Sequence, residues 1–488
     1  MTLTQALNTA NAIFNNTGKQ SAVVSNNIAN ASNADYTRRQ AMTTVSSDGA
    51  TVVQIARSAE PSLQKQLLAS TSADAAQQRL LTGLTDIQAT IGGNDSESSP
   101  ATYLSAFQDA LQTYASSPSS NTTAQAAVTA AQDVANSLNQ SSTAVQAIRT
   151  SADKEISTTV DTLNGLLQQF QTANDAVQSA TASGADASDP LDQRDAVLKQ
   201  ISSIVGIKTV NRANGDMALY TSDGTTLFET IPRTVTFTPT NAYTAGATGN
   251  SVYIDGVALA PGTGANTTAK GTLQALLQVR DVEAPKYQSQ LDEIGRSLVT
   301  MFSETSSADG TTLPGLFTYT ADDGTAGTTP TSATIINGIS ATITVNPAVV
   351  TSAGGDPNLL RDGGINGADY VTNTSGDASY STQLDAYDTA MDAPIDFDPA
   401  AGVDSNSSIM DFASNSVGWV ESERSAASTA AENTAAASSR STEAYSNGTG
   451  VNLDEELTLM MDIEQSYKAG TKILSAVNDM LTALLQLN

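Results

Sequence analysis

Residues 451–488 limit the fold of this chain more than any other stretch. Leu453, Met460, Tyr467, Leu474 and Leu481 fall seven apart, and Ile463, Val477 and Leu484 follow three positions behind that series. This is an a/d seam, the pattern of a helix that lies along a partner helix. Asn452 stands at the N-cap, and Asp454, Glu455 and Glu456 fill the first turn, where the helix dipole favours negative charge. Neither Gly nor Pro follows the last apolar residue, so the seam is expected to run to the end of the chain.

The other end offers the partner. Leu3, Ala10, Thr17 and Val24 are seven apart, as are Leu7, Phe14, Ser21 and Ile28, and the two series together make one helical face. The spacing predicts that 1–34 pairs with 452–488 as a coiled coil closing a large polar middle. Two ordinary helices in a globular core satisfy the same spacing.

Two flanking motifs bear on that choice. Asn26 to Gln40 reads NNIANASNADYTRRQ, and Gly450 to Leu474 reads GVNLDEELTLMMDIEQSYKAGTKIL. The first resembles the N-terminal signature of flagellar axial proteins. The second resembles the C-terminal signature of that group, closest in its V-N-L-D-E-E form to the hook-associated protein 1 (FlgK) family. Ala34-Asp35 stands where that family usually has Pro-Gly, so the turn before Tyr36 departs from the pattern. The resemblance implies a structural subunit that forms a ring at the hook–filament junction. Its implied partners are its own copies, the hook protein below, hook-associated protein 3 above, and an export chaperone on the C-terminal segment. It also implies secretion by the flagellar type III route to an extracellular flagellum, with no cofactor and no enzymatic activity. Hook-associated protein 3 and flagellin are alternatives within the group, and a secreted calcium-dependent adhesin is the alternative outside it. The amides of Asn26, Asn27 and Asn30, with Tyr36, are expected to pair across subunit boundaries. Arg38 and Arg39 are expected to make intersubunit ion pairs. As surface or capping groups, the asparagines would instead serve the chain's own backbone.

Charge and composition narrow the function classes. The 488 residues hold 22 basic and 50 acidic side chains, a net charge of −28, which disfavours nucleic acid and anionic membranes as partners. There is no Cys and no His, so disulfides, thiolate nucleophiles and His-based catalysis or zinc sites are unavailable. No run of about 18 apolar residues is present to span a membrane. The N-terminus lacks the basic and apolar regions of a Sec signal. RDGGINGADYV (Arg361–Val371) has the glycines of a calcium-binding repeat without tandem copies, and Asp392, Asp396, Asp398 and Asp404 form an acidic loop interrupted by prolines. Both read as solvated loops rather than metal sites.

The middle of the chain reads as a helical rod, 35–304. Ala50–Ser58 is extended, Pro61 opens a helix to about residue 91, and a shorter helix covers about 101–115. Between Thr122 and Ala182 there is a single glycine and no proline, with Ile156, Leu163, Phe170 and Val177 in one heptad series and Leu138, Val145, Ala152 and Leu166 in the companion. A small β subdomain follows at about 206–270, marked by Asn214-Gly215 and Asp223-Gly224 turns. Helix returns at about 271–305, with a kink or break expected at Pro285. Residues 305–400, rich in Gly, Thr, Asp and Ser, are expected to form an inserted β-rich outer domain, and 401–451 to return as rod helices. The predicted fold class is mainly α with β insertions, an elongated rod with terminal coiled-coil helices.

Overall fold

The glycine-poor stretch after Thr122 becomes the element along which the remainder is laid. In a computed structural model describing residues 3–46, 49–92 and 97–486, the chain is mainly α-helical with small antiparallel sheets. It begins with α1 (Leu3–Ala29), the hairpin β1 (Arg39–Ser46) and β2 (Gly49–Arg57), then α2 (Pro61–Ala89), α3 (Pro100–Ser116), α4 (Asn121–Ser183) and α5 (Ser188–Ile204). Strands β3 (Ile207–Asn211), β4 (Met217–Thr221) and β5 (Thr226–Phe228) form one sheet. Strands β6 (Val235–Thr236), β7 (Tyr253–Ile254) and β8 (Val257–Ala258) form another. Next come α6 (Thr272–Gln278) and α7 (Ala284–Met301), and the chain ends with α11 (Ile409–Thr449) and α12 (Leu453–Gln486). Between α7 and α11 lie β9 (Glu304–Thr305), β10 (Thr312–Leu313), β11 (Phe317–Thr318), α8 (Ile339–Thr342), β12 (Thr344–Val345), α9 (Leu359–Asp362), α10 (Thr382–Asp392), β13 (Ile395–Asp396) and β14 (Asn406–Ser407).

Helix α4 has 63 residues and is about 95 Å long. The Ser120 hydroxyl accepts the Thr123 N–H at its start, and Gly184, at φ 69°, ends it in the left-handed conformation that a Cβ disfavours. All eight heptad positions that the sequence assigns to this helix are buried. Two cores divide its length. Leu138 and Val145 join α2, α3, α7 and α11, whereas Ile156, Leu163 and Phe170 join α5, α6 and the small sheets. In those sheets Asn214-Gly215 and Asp255-Gly256 turn the chain with both residues at positive φ, as tight hairpins with right-handed strand twist require.

Pro285 divides its helix in a specific way. Proline carries no N–H and its ring crowds the preceding turn. Here the chain widens into a π turn at Val279–Glu283, and α7 then starts with the proline in its first turn. Gly83 of α2 lies against this turn, where a Cβ would stand 2.4 Å from a methyl of Val279. The π turn also carries a buried ion pair. The Arg280 guanidinium donates to Asp153 of α4 at 2.6 Å, with both side chains at most 1% exposed. Asp153 accepts further bonds from the Tyr243 hydroxyl (2.7 Å) and the Thr240 N–H (2.6 Å).

The expected β-rich outer domain at 305–400 is corrected here. Its strands are two residues each, interleaved with short helices and turns. Its apolar side chains do not form a core of their own. Phe317, Ile343, Leu360, Leu384, Tyr387 and Met391 are buried in the same cluster as α3, α4, α7 and α11. Threonine- and glycine-rich composition suggests strands, but tertiary packing overrides weak local preference.

One buried acid in this cluster makes a testable prediction. Asp292 of α7 accepts bonds from the Gly338 N–H (3.0 Å), the Ser340 N–H (3.1 Å) and hydroxyl (2.5 Å), and the Gln288 amide (3.0 Å). Burial pushes its pKa from 3.8 up to about 6, and these four donors pull against that rise without cancelling it. Because the folded value is the higher one, the contribution of this group to stability is complete below its unfolded pKa and is lost as pH rises through about 6. Carbon-13 titration of labelled aspartates, assigned with Asp292→Asn, should show a midpoint near 6, and a midpoint at the ordinary value would refute the burial effect.

Candidate functional site

The two terminal helices pair antiparallel. Phe14 meets Tyr467 edge-to-face with ring centroids 5.1 Å apart, Ser21 reaches Met460, and Asn27 reaches Glu456. The inward column of α12 is Glu456, Ile463, Gly470 and Val477, all buried and seven apart. On α1 the inward residues include Ala10, Thr17 and Val24, and Leu3, Phe14 and Ile28 are half-buried. The series Leu453, Met460, Tyr467, Leu474 and Leu481 sits at the edge of this contact instead. Met460 is half-buried, and the other four are 40–53% exposed along with Leu457. Leu7 is also exposed, and the side chain of Leu484 lies outside the described residues. Thus the heptads locate the helices, but the series with the larger side chains is not the one buried within the chain.

Gly470 explains the choice of inward column. A Cβ there would stand 2.9 Å from Ile13 Cγ2 and 3.4 Å from a ring carbon of Phe14, so the missing side chain lets α1 approach closely. Gly470→Leu is expected to pry the pair apart at a cost of about 1–3 kcal/mol. It should raise amide exchange in both α1 and α12 and leave the melting of the rod in place. Gly470→Ala should be far milder, since a helix gains about 1 kcal/mol from that exchange. Equal protection of α1 in the Leu variant and the parent chain would refute the close-approach argument.

At the inner end of the pair, polar groups replace apolar ones. Glu456 is fully buried. It accepts the Arg38 Nε–H at 2.6 Å and the Asn27 amide at 3.0 Å. The same Asn27 amide donates to the Arg39 carbonyl (2.9 Å), and its oxygen accepts the Tyr36 hydroxyl (2.8 Å) and the Arg39 N–H (3.1 Å). Asn452 caps α12 as expected, its side-chain oxygen accepting the Asp454 N–H at 3.0 Å. Burying a carboxylate in this first turn is favoured by the helix dipole and by the charged donor it receives. The Arg38 N–H donates to the Thr449 carbonyl at the end of α11 (2.8 Å), and its guanidinium also meets Glu455 at 3.1 Å.

Arg39 and Arg57, at the two ends of the β1–β2 hairpin, carry the network onto the rod. Arg39 pairs with Asp189 and Asp192 of α5, and Arg57 with Asp192 (2.8 Å) and Asp195 (2.7 Å). Burial raises the pKa of Asp192, with the Arg57 charge and the Arg39 bond opposing that rise. Burial likewise raises Tyr36, and the Arg39 guanidinium lies over its ring at 4.8 Å.

These contacts lie within the chain. Asn27, Tyr36, Arg38 and Arg39 use their polar groups inside the chain, joining the two termini to each other and to α5. Asn30 donates to the Asn26 carbonyl one turn back (2.9 Å), and Asn26 is exposed. Sequence reasoning placed Glu456 only in the first turn of its helix and gave no role to Asp189, Asp192 and Arg57. Glu456 did leave a signal, because it falls seven before Ile463, in the apolar column, where a charge needs a partner. The aspartates of α5 left none, since acids are abundant in this chain.

The network has the chemistry of a structural joint, with no nucleophile and general base set together. Among the described residues no group of acidic side chains is arranged to hold a metal ion, and no helix is long and apolar enough to cross a membrane. The acids of the loop before α11 serve backbone turns. Asp398 accepts the Ile335 and Ala400 N–H groups, and Asp404 accepts that of Asn406.

Comparison with known proteins follows this division of the chain. Residues 84–317 match the model of the flagellar hook-associated protein FlgK helical domain, which spans most of the rod. Residues 442–487, from the end of α11 through α12, match the flagellar basal body rod FlgEFG protein C-terminal model. A search of curated proteins gives no significant match. Among solved structures, the chain is similar to the flagellar hook junction protein FlgK from Burkholderia pseudomallei, at 20% identity and a TM-score of 0.42. That likeness covers 53% of this chain and 47% of the other, about half of each. With its rod matching the FlgK helical domain and its C-terminal helix a flagellar axial C-terminal segment, the chain is similar over these two stretches to the FlgK family of flagellar hook-associated proteins.

Proposed function

We propose that this protein is a junction subunit that polymerises as a ring between hook and filament through its paired terminal helices. The observation that supports this most is the outer surface of α12. Leu457, Met461, Tyr467, Leu474, Leu481 and Leu485 remain 40–77% exposed although α1 is already docked. Large side chains left in water along one helix represent contact area withheld for a partner. The neighbours in this reading are further copies of the chain, hook protein on one side and hook-associated protein 3 on the other. An export chaperone would cover the C-terminal segment beforehand. The assembled protein would work outside the cell.

Leu474→Asp with Leu481→Asp tests this reading. Both side chains are about 40% exposed in the free chain, whereas Ile463 and Val477 hold the intrachain pair. The double variant should therefore keep its helix content, its melting temperature and the α1–α12 contact. Against a neighbouring helix, unpaired charges would be buried at a cost of several kcal/mol. The expected phenotype is hooks without filaments and flagellin released into the medium, scored by electron microscopy and motility. Normal filament attachment would remove the assembly role assigned to this face.

A further inference from the structure

The joint between terminal coil and rod is built unlike either part. Within the coil the contact is largely apolar, through Ala10, Val24, Ile463 and Val477, and within the rod through two large apolar clusters. Between them the ties are the β1–β2 hairpin, the backbone link at 450–452 and the polar network around Glu456. Two crevices flank this neck. One, of about 800 Å³, lies between the 31–36 turn and Tyr445–Leu453. The other, of about 700 Å³, lies between Lys19, the end of β2 and the α4–α5 turn. Little apolar surface is thus sealed at the joint, and polar contacts carry most of its definition.

We propose that this junction is a charge latch. Glu456, held by Arg38 and Asn27, sets the angle at which the terminal coil leaves the rod, and releasing Glu456 lets the intact coil swing. The geometry favours this over a purely local role. Arg38 ties three segments at once, through Glu456 and Glu455 of α12 and the Thr449 carbonyl of α11. Arg39, the next residue, is fastened to α5. Removing the Glu456 carboxylate therefore takes away the buried side-chain tie from α12 to the rod, leaving the exposed Glu455 contact with Arg38, the backbone link and the packing of α1 on the hairpin. A buried ion pair that loses one member leaves its partner seeking water, and the Arg38 side chain, 21% exposed already, reaches it by rotation. The coil's own seam contains no part of this network beyond Asn27 and Glu456. The latch is a property of the free chain and does not depend on ring assembly.

The absence of cysteine makes the test direct. Ser439→Cys on α11 with Ser466→Cys on α12 places spin labels across the joint, and Asn11→Cys with Ser475→Cys places them across the coil; all four positions are exposed. Electron–electron distance measurements on the full-length monomer should give one narrow distribution for each pair. In Glu456→Ala the cross-joint distribution should become several-fold wider while the coil pair keeps its distance. Glu456→Gln, which keeps the shape and removes the charge, should widen it to a lesser degree, and it stands in should the alanine variant fold poorly. A cross-joint distribution unchanged in both variants would overturn the latch. Widening of both label pairs together would overturn it equally, since Glu456 would then hold the coil together rather than set its angle.

Discussion

Phe302→Ala is expected to cost about 3–5 kcal/mol and to melt residues 305–400 together with α3 in one transition. Phe302 is fully buried at the end of α7. Its ring contacts Phe107 of α3 (centroids 5.4 Å apart), Phe317 of β11 (5.4 Å) and Tyr387 of α10 (4.5 Å). The side chain thus joins the rod, α3 and two separate parts of the 305–400 segment. Removing it opens a cavity that the three remaining rings cannot close without moving the elements that carry them. Scanning calorimetry with limited proteolysis would read the outcome. A variant in which 305–400 is lost in an early, separate step while α3 melts as in the parent chain would restore the independent outer domain that composition suggested.

Asp153→Ala carries the second large effect, about 3 kcal/mol. Truncating one member of a buried ion pair ordinarily costs about 3–5 kcal/mol, because the remaining charge stays desolvated. Arg280 keeps Asp281 at 2.8 Å and the Asn250 carbonyl at 2.7 Å, which places the loss at the lower end of that range. The Tyr243 hydroxyl and the Thr240 N–H lose their acceptor as well, so the segment carrying them should loosen from α4. Urea denaturation should show a lowered midpoint, with the first change in exchange protection at residues 240–250 and the π turn. Asp153→Asn keeps an acceptor oxygen and should recover part of the loss. Wild-type stability in the alanine variant would show that this pair only fills space.

Much of this architecture is legible in periodicity. Each predicted inward position of α4 is buried, Pro61 opens α2, Asn452 caps α12, and Asn214-Gly215 turns a hairpin. These features are local, since a heptad, a cap or a turn depends on residues within a few positions of one another. The terminal pairing was readable for the same reason, since two long seams at opposite ends of the chain have few alternatives.

What periodicity does not carry is which face meets which partner. The spacing marks two columns on α12 without saying that the one holding Gly470 turns inward; that follows from the bulk of Ile13 and Phe14 opposite it. The aromatic hub at Phe302 joins segments that composition assigned to different domains. The Asn27–Arg38–Glu456 network links residues more than 400 positions apart, and the acids of α5 that receive Arg39 and Arg57 look like many others in a strongly acidic chain. The sequence by itself therefore determined the helices, their caps and the pairing of the two ends, because those depend on local spacing. Only the tertiary structure decided the partners of the buried charges and which face of α12 stays exposed, because a charge or an apolar face takes its partner from whatever the fold brings within a few ångströms.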